Sequence, residues 1–207
     1  MTCHEVRFFV VSVCRRNVDV AFLIPTAKHV GEKGLKDIKL VINALLATFG
    51  IKKYGGVHVG FMTCAEVGEV VMNFDDYHNR KEIRNVLESM KATGRETKLD
   101  NCLKDASLNL FDVRGGVRNA VDKYLIVIGD GRGSFIQQSV RTHLLSLKNQ
   151  GVKILSWARS SSRPTIARMK TISSNPKDIW FRLMQRREVD NAGFFGRSIS
   201  EIICKGK

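Results

Sequence analysis

The sequence predicts an α/β fold: a doubly wound, mostly parallel central sheet with one antiparallel edge strand and helices on both faces. Three observations carry this. Apolar runs of strand length alternate with segments of helical periodicity along the 207 residues, the pattern of βαβ units. The run Tyr124–Ile128 is unbroken and closed by Gly129, as a strand buried on both faces reads. Two strand-like runs, Val57–Thr63 and Glu69–Met72, lie close together with Gly68 between them, which fits an antiparallel hairpin at a sheet edge.

Each element has its own signal. The apolar stretch Phe8–Val13 reads as an extra edge strand in an N-terminal extension, residues 1–14. Glu5 precedes it and no small-residue cleavage site follows, so it is not read as a signal peptide. Val18–Ile24 is a buried strand ended by Pro25. From Gly31, Leu35, Ile38, Val41, Ile42, Leu45, Leu46 and Phe49 keep helical spacing up to Gly50. Asn79 caps a helix reaching Met90, with Ile83, Val86, Leu87 and Met90 inward. A loop over Lys91–Lys98 leads to a helix over Leu99–Phe111, stopped by Gly115 and Gly116. Beyond the central strand come a helix over Ile136–Asn149, a strand over Lys153–Trp157 and a short helix over Thr165–Ser173. A last strand, Ile179–Phe181, precedes a terminal helix ending near Cys204. Neither a repeat nor a composition break divides residues 15–204, which read as one domain with a tail, residues 205–207.

Bulk composition narrows the function classes. Hydrophobic content of 43% and charged content of 26% are ordinary for a globular chain able to bury a core. No apolar stretch reaches membrane-spanning length, so membrane insertion is not expected. The charge is unusual: 34 Lys+Arg against 20 Asp+Glu, a net +14. Such an excess attracts polyanions. It is concentrated between Arg159 and Arg187, where Arg159, Arg163, Arg168, Lys170, Lys177, Arg182, Arg186 and Arg187 face the single acid Asp178. That window is either a binding face or merely a solvated one.

The five cysteines show no CxxC or His-rich spacing of a zinc site. Cys14 precedes the first strong strand and Cys204 ends the last helix. Because the termini of compact domains tend to meet, these two are candidates for a disulfide, which implies an oxidising compartment. Cys64 and Cys102 read as small buried hydrophobes.

The segment Gly129-Asp-Gly-Arg-Gly133 places Asp130 just beyond a central strand, at the sheet edge where α/β folds bind ligands. A carboxylate there anchors a metal or hydrogen bonds, or it caps the next helix. The glycines also suggest a phosphate cradle, but the G-x-G-x-x-G and Gly-Lys-Ser/Thr spacings are missing.

Five segments in order are similar to those of the von Willebrand factor type A family: Val18–Ile24 with Val30–Glu32, Thr97–Leu103, Lys123–Arg132, Gly151–Ile154 and Ile172–Lys177. The resemblance spans about Cys14 to Cys204 and implies a Rossmann-like sheet with a metal-ion-dependent adhesion site at its top. Family members hold magnesium or a similar ion there through an Asp-x-Ser-x-Ser loop, a threonine and an aspartate. Here the loop positions are Pro25, Ala27 and His29, and only Thr97 and Asp130 match. Hard cations need several oxygen donors, so no metal and no cofactor is expected; His29, Thr97 and Asp130 are remnants. A divalent cation at Asp130, or a softer metal on His29 with Asp130, is the alternative.

What the resemblance implies is a non-enzymatic, secreted adhesion module. Its expected partner is an extracellular matrix protein or an acidic polysaccharide, held by Arg159, Arg163, Arg168, Lys170, Arg186 and Arg187 without a metal. Competing readings are an intracellular scaffold in a multiprotein complex, a nucleotide binder, or a nucleic-acid binder. The last lacks any recognisable motif and has few aromatics beside the basic window.

Overall fold

A computed structural model of the chain describes residues 13–129, 131–134, 136–160, 162–175, 179–181 and 188–205. Strands β1 (Val18–Pro25), β2 (Val57–Cys64), β3 (Gly68–Met72), β4 (Asp122–Gly129), β5 (Val152–Ala158) and β6 (Ile179–Phe181) form one sheet in the order β3-β2-β1-β4-β5-β6. Only β3 runs antiparallel, beside β2, and the remaining pairings are parallel. The predicted edge strand in residues 1–14 lies outside the described residues up to position 12. Cys14 makes a lone parallel bridge to Phe49.

Side-chain alternation along β1 splits the core in two. Val20, Phe22 and Ile24 point to the face covered by α1 (Gly31–Leu46), α2 (Arg80–Ser89) and α6 (Glu188–Lys205). Ala21 and Leu23 point to the other face, under α3 (Leu99–Asp105), α4 (Gln137–Asn149) and α5 (Arg163–Ile172). Both faces being covered is why Val20–Ile24 and Tyr124–Ile128 are continuously apolar. In α1 the residues predicted inward from Leu35 to Leu46 are the buried ones. Asn79 caps α2 as expected, its side chain accepting from the Glu82 amide at 2.9 Å.

Two boundaries and one cysteine pairing differ from expectation. Pro25 does not break β1 but is its last residue. Pairing with β4 stops at Leu23, so the missing amide of Pro25 interrupts no bond on that side. The helix predicted over Leu99–Phe111 is α-helical only to Asp105 and continues as a π turn over Ala106–Leu110. The wider turn keeps Ala106, Leu110 and Phe111 all buried. Thirdly, Cys64 and Cys102 are buried as expected but are not free thiols: they form a disulfide joining the end of β2 to α3, with Cα atoms 5.5 Å apart. Cys14 and Cys204 are bridged as predicted, with Cα atoms 5.4 Å apart across 190 residues of sequence.

At the amino-terminal edge of the sheet, Asp19 is fully buried. Arg118 neutralises it: its amide and Nε donate to the carboxylate at 2.7 and 2.8 Å. The same guanidinium donates to the carbonyls of Val18 and Gly56. A buried carboxylate survives only when paired and hydrogen-bonded.

Candidate site at the carboxyl edge of the sheet

The carboxyl ends of β1, β4 and β5 converge with three loops. After β1 the chain is pinned by backbone bonds: Thr26 donates to Cys64, Lys28 to Gly94, and both Thr93 and Gly94 donate to Thr26. Lys98 donates to Ala65, and Ser134 donates to the carbonyl of Thr97 at 3.0 Å, tying the threonine loop to the β4–α4 connection. The loop holding Glu66 is closed in the same way, with the Arg95 amide donating to its carboxylate at 2.9 Å. Its own amide, then that of Arg95, holds the Glu66 carboxyl below the usual carboxylate range.

Within this frame Thr97 is nearly buried, and its Oγ1 meets no hydrogen-bond partner among the described residues. Pro25 closes β1 and Ala27 is wholly buried; neither carries a side-chain oxygen. His29 is half-buried beside the exposed Lys28. Asp130 lies outside the described residues. Among the described loop residues, the donor set therefore does not fit a hard cation, which takes oxygens in near-octahedral array.

An open depression of about 530 Å³ is lined by His29, Arg132, Arg159, Ser160, Ser162 and Thr165. Arg159 sits at the end of β5, and its guanidinium lies over Gly34 of α1 so closely that a Cβ there would stand 2.7 Å from Nη2. Ser162 caps α5 and accepts from the Thr165 amide. Arg163, Arg168 and Lys170 are exposed on α5, and Nη1 of Arg168 donates to the Gly131 carbonyl at 2.6 Å. Of the six basic residues singled out in the sequence, Arg159 lines the depression and Arg168 reaches the β4–α4 connection, while Arg163 and Lys170 are exposed on α5. Arg186 and Arg187 lie outside the described residues. The fold brings His29 of the β1 loop and Arg132 of the β4 loop beside the start of α5, an arrangement that no local pattern in the sequence marks.

The glycines after β4 answer to packing. Gly131 and Gly133 have φ of +74° and +87°. A Cβ on Gly131 would stand 2.4 Å from Thr165 Oγ1, and one on Gly133 2.2 Å from the Thr97 carbonyl oxygen. Each residue is glycine because its backbone is left-handed and pressed against a neighbour, which accounts for the spacing without a phosphate.

Comparison with known proteins places this arrangement. The model of the von Willebrand factor type A domain matches residues 19–192. The human collagen alpha-6(VI) chain is 24% identical over 176 residues, taking in 83% of this chain and 8% of that one. Human cochlin is 24% identical over 113 residues, 55% of this chain and 20% of cochlin. This chain therefore spans only a small part of the curated relatives it resembles. Among solved structures, proximal thread matrix protein 1 from the mussel byssus superposes with a TM-score of 0.80 at 14% identity, over 93% of this chain and 48% of that one. A form of that protein with a zinc-occupied MIDAS motif superposes at 0.76, with 15% identity over 91% of this chain and 47% of that one. At these identities the structural likeness establishes the fold alone.

Proposed function

The chain belongs to the von Willebrand factor type A family, and on that footing we propose that it is a non-enzymatic extracellular matrix module that captures an acidic partner through charge rather than through a bound cation. The partner is a sulfated polysaccharide or an acidic matrix protein. One observation carries this reading: Pro25 and Ala27 occupy the loop where oxygen ligands belong, while Arg132 and Arg159 line the depression beside it and Arg163, Arg168 and Lys170 are exposed on the adjoining α5. A cation pocket draws a partner's carboxylate to the metal. A ring of guanidinium and ammonium groups draws carboxylates or sulfates directly, with arginine offering paired donors. The similarity to a collagen chain and to cochlin supports a matrix setting. So do two disulfides, which persist in oxidising compartments and weigh against an intracellular scaffold. No helix among the described residues is long and apolar enough to cross a membrane.

The test is chromatography on immobilised heparin with a salt gradient, with and without chelator. The triple variant R163E/R168E/K170E is expected to elute at clearly lower salt, because contacts between exposed charges are screened and additive, and chelator is expected to leave wild-type elution unchanged. Equal elution of variant and wild type, or loss of capture on chelation, would overturn the reading.

A further inference from the structure

The opposite end of the sheet holds a pair of side chains that the proposed function does not use. His58 is the second residue of β2 and only 6% exposed; the Lys53 backbone reaches one of its buried ring nitrogens, and the other has no hydrogen-bond partner among the described residues. His78 lies in the turn before α2, half-buried, and its Nδ1 is buried and unpartnered in the same way. The two rings tilt at 48° with centroids 5.0 Å apart. Two imidazole nitrogens, one from each ring, are left to be satisfied in one place, and buried polar atoms in native proteins are nearly always paired.

We propose that His58 and His78 form a two-imidazole site for a borderline divalent transition ion, Zn²⁺ or Cu²⁺. The spacing suits it: with metal–nitrogen bonds of about 2.0–2.1 Å, two imidazole centroids around one tetrahedral ion stand about 5 Å apart. The chemistry suits it as well. Imidazole is a ligand for zinc and copper rather than for magnesium or calcium. Asp19, which pairs with His58 across β1 and β2, is not available as a third ligand because Arg118 already holds its carboxylate. Asp19 offsets part of the positive charge that Arg118 places beside the site. No cluster of three His, Cys, Asp or Glu exists among the described residues. The remaining coordination positions therefore belong to water or to a donor from a partner, with access past half-buried His78. The site is independent of the basic rim, standing at the other edge of the sheet.

The experiment uses the full chain carrying Cys3→Ser and His4→Ala, which removes the adjacent thiol and imidazole near the start of the sequence as competing ligands. Zn²⁺ is titrated calorimetrically, and Cu²⁺ binding is followed by electron paramagnetic resonance. The expected result is one ion per chain with superhyperfine coupling to two nitrogens. His78→Ala should weaken binding by about tenfold or more, the order seen when a metal's supporting groups are lost, and should leave coupling to one nitrogen. The heparin elution of the same variant should not move. His58→Gln serves as a second variant, with cooperative unfolding as its control for folding. Absence of stoichiometric binding, or binding indifferent to both substitutions, would overturn the proposal and leave the two rings solvated by buried water.

Discussion

Arg118 shows how much can hang on one side chain. Its guanidinium and amide satisfy a wholly buried carboxylate and two carbonyls at the amino-terminal edge of the sheet. Removing one partner of a buried pair strands the other, at a cost of about 3–5 kcal/mol. Arg118→Ala should therefore lower the urea midpoint steeply, whereas Asp19→Asn in the same background should recover part of the loss. A change of under about 1 kcal/mol in Arg118→Ala, the level of an exposed pair, would show that the pair is not buried in solution. Nearby, burial and then Arg118 push the His58 imidazole below its usual range, with Asp19 opposing. A base whose folded pKa is depressed is stabilising while neutral and loses that contribution as pH falls. In metal-free buffer the melting temperature should therefore drop between pH 7 and pH 5, and the drop should shrink in His58→Gln. An equal drop in both proteins would assign the acid sensitivity elsewhere.

At the scale of elements, the Cys64–Cys102 disulfide and the π turn both act on α3. The bridge closes 38 residues and fastens the end of β2 to the helix that follows the threonine loop. On the chain-entropy model a loop of that length contributes about 4 kcal/mol. The double variant C64A/C102A should lose stability on that order in urea while keeping the sheet's far-ultraviolet signature. It should also lose heparin affinity less than the α5 charge variant, since none of the basic rim sits on α3. Stability unchanged within about 0.5 kcal/mol would mean that the bridge does not form in the native protein. The alternation of strands and helices was legible from apolar periodicity alone, and the buried face of α1 was readable residue by residue. The π turn was not legible. Its sequence, Ala106–Leu110, has ordinary helical spacing, and only the need to seat Leu110 and Phe111 in the core decides the extra residue.

For the molecule as a whole, pairing consumes four of the five cysteines. Titration of unfolded, unreduced protein with a thiol reagent should therefore give at most one thiol per chain, that of Cys3; three or more would refute the extracellular setting. The two ends of the sheet carry different chemistry. One carries Arg132 and Arg159 beside the altered adhesion loop, and the other holds the Asp19–Arg118 pair beside two imidazoles.

The sequence by itself determined the class of fold, the loss of oxygen donors at Pro25 and Ala27, the excess of positive charge and the Cys14–Cys204 bridge. Fold class and charge are properties of periodicity within short windows and of composition, which a linear chain displays directly; the missing donors are read through the family resemblance, and the bridge, 190 residues apart, through the tendency of a domain's termini to meet. Only the tertiary structure decided that Cys64 meets Cys102, that Arg132 and His29 line one depression with Thr165, and that His58 faces His78. Those residues lie between 20 and 136 positions apart, and parallel strands joined by crossovers bring together residues whose nearness leaves no local trace in the sequence.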